Sequence, residues 1–133
     1  MPFSINQALG PFPQILQLEA KRAQLLASNI ANADTPNYKA RDLDFKAAMQ
    51  AIEGKQSHLP LAPPAAGPTL QPTGSVSQPV TMYQVPLQPS LDGNTVDLQR
   101  NEAQFGENAL RYQATLTFLG SRISGLRKAL TGQ

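Results

Sequence analysis

Along the last third of the chain, residues spaced alternately four and three apart read Leu98, Glu102, Phe105, Ala109, Tyr112, Leu116, Leu119, Ile123, Leu126 and Leu130. Only Glu102 breaks the apolar series. A seven-residue repeat held over this length keeps one narrow stripe of a helix turned toward a neighbouring helix. The pattern therefore predicts a long helix from about Asp97 whose stripe is an assembly seam. Acidic residues near its start (Asp97, Glu102) and basic ones near its end (Arg122, Arg127, Lys128) match the helix macrodipole. Three cations at a helix end read as a solvated terminus.

A second helical pattern covers Ile15 to Ile30. Leu16, Ala20, Ala23, Ala27 and Ile30 form a small-residue seam beside a stripe of Ile15, Leu18 and Leu25. Two apolar faces call for more than one neighbour, and the alanines permit close helix approach. The run Asn29 to Asp42 then stops the helix: Asn32 can take a left-handed cap, Pro36 pushes Thr35 to an extended conformation, and Pro36-Asn37 suits the centre of a tight turn. Asp42 or Asp44 should cap a short helix from Phe45 to Glu53, with Phe45, Ala48, Met49 and Ile52 on one face and Gly54 just past its end.

From Gln56 to Leu91 the chain has no Asp, Glu, Lys or Arg and holds eight of its twelve prolines. That composition describes an extended connector. Val80 to Val85 reads as a strand, and Asp92-Gly93-Asn94 is a turn signal before Thr95-Val96, so a small β element is expected there. The expected fold is mostly α. The N-terminal segment, residues 1–54, and the C-terminal segment, residues 96–133, would pack their helices antiparallel as one coiled-coil-like bundle. Residues 55–95 would lie outside as a Pro-rich, partly β connector.

Composition makes that bundle incomplete. In 133 residues, twelve prolines, nine glycines and no tryptophan argue against one dense core, so the seams need partners beyond the chain. A net charge of +2, dispersed, does not make a nucleic-acid face. The absence of cysteine removes disulfides and thiolate metal sites. His58, the single histidine, has no ligand or general-base partner at a suitable spacing, and Asp34, Asp42 and Asp44 occupy turn and cap positions, so neither a metal, a cofactor nor an enzyme site is expected. Met1 to Pro13 lacks the basic and apolar regions of a cleaved signal, and no apolar run approaches a membrane span.

Arg22 together with Ala27-Ser-Asn-Ile-Ala-Asn-Ala-Asp-Thr-Pro-Asn-Tyr-Lys39 closely resembles the N-terminal signature of the bacterial flagellar rod, hook and hook-associated proteins. Leu91-Asp-Gly-Asn-Thr-Val-Asp97, then Glu107-Asn-Ala-Leu-Arg-Tyr-Gln113 and the heptad helix, resemble the short proximal rod members of that family. The likeness covers about Leu16 to Glu53 and Leu91 to Leu130, and not the Pro-rich middle. Many members carry Gly where this chain has Asn37, the residue next best able to adopt a positive φ.

The resemblance implies a structural subunit of the periplasmic rod, exported without a cleaved signal peptide. Its implied partners are other rod subunits, a ring-to-rod adaptor, a membrane-embedded ring protein and the export gate. Asn29, Asn32, Asp34, Thr35, Pro36 and Tyr38 are the signature and interface candidates, with the asparagine amides free to bond either to the following turn or to a neighbouring subunit. Phe105, Tyr112, Leu116, Leu119, Ile123, Leu126 and Leu130 are the assembly seam. Phe45-Lys-Ala-Ala-Met49 is similar to a pentad presented to the export gate, and it equally fits a small helix packing on the core. The alternatives are another short rod protein, or a coiled-coil interaction module or secretion chaperone folded before it binds.

Overall fold

The computed structural model describes residues 8–57, 81–86, 88 and 90–132. His58 and most of the Pro-rich connector lie outside the described residues. Their elements, in chain order, are α1 (Phe12–Ala31), β1 (Arg41–Leu43), α2 (Phe45–Ser57), β2 (Thr81–Tyr83) and α3 (Leu98–Thr131). Among the described residues the fold is mostly helical, with one small two-stranded sheet.

α1 starts before Ile15, at Phe12, because its first turn tolerates proline where the N–H groups have no helical acceptor. The Pro11 carbonyl accepts the amides of Gln14 and Ile15, each at 3.0 Å. At the other end, Asn32 does not take the expected left-handed cap: its φ is −108°. Its side-chain amide donates instead to the Ser28 carbonyl at 2.8 Å, which satisfies that terminal carbonyl without a left-handed residue. The positive φ falls at Asn37 (62°), and the Tyr38 amide closes the turn on the Thr35 carbonyl at 3.3 Å. Pro36 and Asn37 thus hold the central positions of a turn that needs a left-handed third residue.

α2 is capped by Asp44, whose Oδ1 accepts from the Ala47 amide at 3.0 Å. Asp42 is used elsewhere. The helix runs through Gly54 to Ser57 rather than stopping at Glu53. A glycine inside a helix costs only about 1 kcal/mol against alanine, too little to end one. The strand expected within Val80 to Val85 is β2, but its partner is not Thr95-Val96. It pairs antiparallel with β1, setting Arg41 opposite Tyr83, Asp42 opposite Met82 and Leu43 opposite Thr81. Thr95 bridges to the same region without forming a strand: its amide donates to the Tyr38 carbonyl at 3.0 Å and its hydroxyl oxygen accepts the Ala40 amide at 2.8 Å.

α3 begins as expected. Asp97 caps it through a 3.1 Å bond from the Arg100 amide, and Gly132 (φ 72°) closes it in the left-handed conformation. α1 and α3 run antiparallel, since Asn29 meets Asn101, Glu19 meets Asn108 and Thr115, and Phe12 stacks on Phe118 with ring centroids 6.3 Å apart.

The line of contact differs from the predicted one. Glu19, Asn29, Asn101, Asn108 and Thr115 each stand one residue before a predicted seam position (Ala20, Ile30, Glu102, Ala109 and Leu116). One residue is about 100° of helix rotation, so the intramolecular contact lies beside the apolar seams and not on them. Among the described residues the buried apolar side chains are Leu18, Leu26, Ala40 and Leu43, while Glu19, Asn29, Asn94, Asn101, Asn108 and Thr115 are buried and polar. Periodicity identifies a stripe but not the neighbour it faces. Here directional hydrogen bonds along the adjacent polar line set the register.

Candidate assembly surface and the joint that positions it

Two sequence-distant turns lock together beneath the helix pair. Asn29, fully buried on α1, donates from Nδ2 to the Arg41 carbonyl (2.8 Å) and to Asn101 Oδ1 (2.9 Å), while its Oδ1 accepts the Arg41 amide at 3.1 Å. One side chain thereby ties α1 to β1 and α3. The Tyr38 hydroxyl lies 3.1 Å from Ser28 Oγ and donates to Asn29 Oδ1 at 3.4 Å, so its polar tip is engaged within the chain.

Asn94 makes the second tie. Its Nδ2 is ringed by the carbonyls of Asn32 (3.0 Å), Ala33 (2.6 Å) and Thr35 (2.9 Å), and its Oδ1 accepts the Val96 amide at 2.8 Å. Asn37 donates its amide to the Asp92 carbonyl at 2.9 Å, and Lys39 Nζ reaches the Gly93 carbonyl at 2.7 Å. A side chain at Gly93 (φ 74°) would also meet Asn37 Oδ1 at 2.7 Å, so this position admits only glycine without rearrangement. Hydrogen bonds from the Ser90 hydroxyl and the Asn94 amide hold the exposed Asp92 carboxyl below its ordinary range. Thr35 Oγ1 donates to Asn32 Oδ1 at 3.1 Å, whereas Asp34 and Pro36 lie exposed on the turn.

A third tie holds α2. Arg22 grips Asp42 with two 3.0 Å bonds, Nε to Oδ1 and Nη2 to Oδ2, a bidentate geometry stronger than a single contact. The same guanidinium lies 5.5 Å from the centre of the Phe45 ring, and that of Arg111 lies 5.8 Å from it. Phe45 is therefore held between cations of α1 and α3. Met49 is half-buried on the same helix face.

With the helices so placed, the predicted assembly seam stays largely open. Phe105 is 40% exposed, Leu116 39% and Ile123 48%, Tyr112 and Leu130 are also exposed, and only Leu119 and Leu126 are half-buried. The two predicted seams meet in an open groove of about 470 Å³, lined by Ala20 and Ala23 of α1 and by Phe105, Ala109 and Tyr112 of α3. Among the described residues, no element covers this apolar face.

Asn29, Asn32 and Tyr38 stand out in the sequence; Asn94 does so only as part of a turn, without its enclosing role, and Asn101, Asn108 and Glu19 do not stand out. A signal for three of them was present: Asn94, Asn101, Asn108 and Thr115 recur at intervals of seven, in phase with the apolar repeat. Glu19 carried none.

Residues 16–39 match the family described as flagella basal body rod protein. Over nearly full length, the chain is 44% identical to the flagellar basal body rod protein FlgB of Salmonella typhimurium strain LT2, covering 96% of each chain. It is 42% identical to FlgB of Aeromonas hydrophila across all of this chain and 99% of the relative. Against FlgB of Escherichia coli strain K12 it is 40% identical over 95% of this chain and 94% of the relative.

Proposed function

Because the chain belongs to the flagellar basal body rod protein family and is a structural subunit of the rod, we propose that it is the proximal rod subunit, completed by helices of its neighbours. The observation that carries this reading is the offset between contact line and apolar seam. Within one chain α1 and α3 touch along Glu19, Asn29, Asn101, Asn108 and Thr115, leaving Phe105, Tyr112, Leu116 and Ile123 uncovered on a 34-residue helix. Coiled-coil packing then belongs to the assembly, where helices from adjacent subunits fill the groove.

Residues 1–54 and 96–133 act as one helical unit in this reading, joined by the connector of residues 55–95. Heterologous contacts repeat such units along a helix without closing a ring. Other rod subunits, the ring-to-rod adaptor, the membrane-embedded ring and the export gate are its partners, and its mechanical role is to pass torque along the drive shaft. Export through the gate brings it to the periplasmic rod. A free-standing coiled-coil module or chaperone fits less well, since the named rod proteins match almost the whole chain.

Amide exchange tests the reading. Beyond the Thr115 contact α3 has little intramolecular cover, so weak protection is expected across Leu116 to Leu126 in the dilute chain and strong protection in assembled rods. Strong protection already present in a dilute monomer would overturn it.

The export segment has its own test. Phe45→Ala with Met49→Ala removes the ring between Arg22 and Arg111 and a half-buried neighbour. Under the export-gate reading, secreted protein falls while cellular levels hold. Unchanged secretion with lower stability, by about 2–4 kcal/mol, leaves these residues a packing role alone.

A further inference from the structure

One buried carboxylate lies on the contact line of α1 and α3 and takes no part in the surface described above. Glu19 is 2% exposed. Its Oε1 accepts from the Thr115 hydroxyl at 3.2 Å, and its backbone carbonyl accepts from Asn108 Nδ2 at 2.9 Å. Glu19 Oε2, Asn108 Oδ1 and Gln104 Oε1 are buried without a hydrogen-bond partner among the described residues. All three atoms are acceptors when Glu19 is ionised. A single proton on Glu19 turns one acceptor into a donor and removes a charge from the interface.

We infer that the α1–α3 contact is a proton-coupled latch, closed when Glu19 is neutral and loosened when it ionises. Among the charged groups of the elements packed on α1, Arg111 of α3 favours the ionised form. Its guanidinium, however, is engaged by Glu107 Oε1 at 2.6 and 3.1 Å and lies over Phe45. From β1, Asp42 is taken by Arg22, the α1 cation one turn on from Glu19; from α2, Lys46 is exposed. Burial raises the Glu19 carboxyl above its ordinary value of 4.5, and the Thr115 bond and the Arg111 charge oppose that rise without cancelling it.

A folded-state pKa above the unfolded one means no penalty below the unfolded value and a full penalty above the folded value. Pairing therefore weakens as pH rises. Each pH unit between the two values changes the folding equilibrium by up to about tenfold. The latch is a property of the subunit itself and stands whether or not the proximal-rod reading holds.

The test is denaturant unfolding of the purified chain, followed by circular dichroism from about pH 4 to about pH 8, in wild type and Glu19→Gln. Glutamine keeps the shape, stays neutral and supplies a donor. The wild-type midpoint should fall relative to the variant as pH rises, and the variant should be the more stable near neutrality. Curves that stay parallel would overturn the latch. Carbon-13 NMR of the wild-type glutamate carboxyls decides the matter independently of how the variant folds. Titration of Glu19 above 4.5 is expected, and titration at or below that value would overturn it.

Discussion

Cells whose only copy carries Leu116→Asp together with Ile123→Asp are expected to export the subunit at normal levels, build no rod and not swim. Both side chains are exposed in the single chain, at 39% and 48%. Exposed substitutions away from caps and packed contacts stay within about 0.5 kcal/mol. Assembly changes the sign of the argument, because a neighbouring helix that covers the stripe must bury two unpaired carboxylates at a cost of several kcal/mol each. Leu119 would be the poorer choice: it is half-buried already, so its replacement damages the subunit as well as the interface. The measurements are secreted protein in the culture medium, motility, and basal bodies inspected by electron microscopy. Normal flagella in these cells, or a variant chain degraded before export, would contradict an interface role for the stripe.

That experiment is clean only because the structure separates two lines that the sequence merges. The heptad pattern made α3, its Asp97 cap and its antiparallel partner legible, since helix periodicity and capping are local properties. The turn at Pro36-Asn37 was equally readable from the special φ it demands. Gly54 misled because a propensity worth about 1 kcal/mol is easily overridden by the flanking helix. The pairing of β1 with β2 was hidden for a different reason: the register of strands far apart in sequence depends on contacts that no window contains. Glu19 is the hardest case, as a lone glutamate on a predicted helix is ordinarily solvated, and nothing local marks it as buried. The joint sits between these extremes. Asn29 and Asn94 were visible as turn and helix-stop residues, but their mutual enclosure follows only once α1 and α3 have docked.

The enclosure of Asn94 gives the largest effect expected of any single atom. Asn94→Asp exchanges an NH₂ for an oxygen at nearly constant volume, so packing is preserved and only the hydrogen-bond signs change. The bond from the Val96 amide survives. The three carbonyls of Asn32, Ala33 and Thr35, however, lose their donor and face a carboxylate at 2.6–3.0 Å. The amide's two N–H groups, shared among three part-buried carbonyls, are lost at about 1–3 kcal/mol each, and more where charge is involved, so a loss of at least about 2 kcal/mol is expected. Set against a total stability of about 5–15 kcal/mol for a small domain, that opens the joint. Amide exchange should quicken at Asn37, Ala40 and Thr95, whose bonds span the two turns. Acid should restore part of the loss. The new carboxyl, ringed by carbonyls, must titrate above an ordinary aspartate, so the penalty is complete above the folded-state pKa and fades as pH falls toward the unfolded value near about 3.9, where one proton returns one donor. Asn94→Ala provides the control, losing the donor without gaining a charge and showing no recovery relative to wild type in acid. If Asn94→Asp unfolds no more easily than wild type at neutral pH, the three carbonyls are not held by this amide and the two turns are joined by other means.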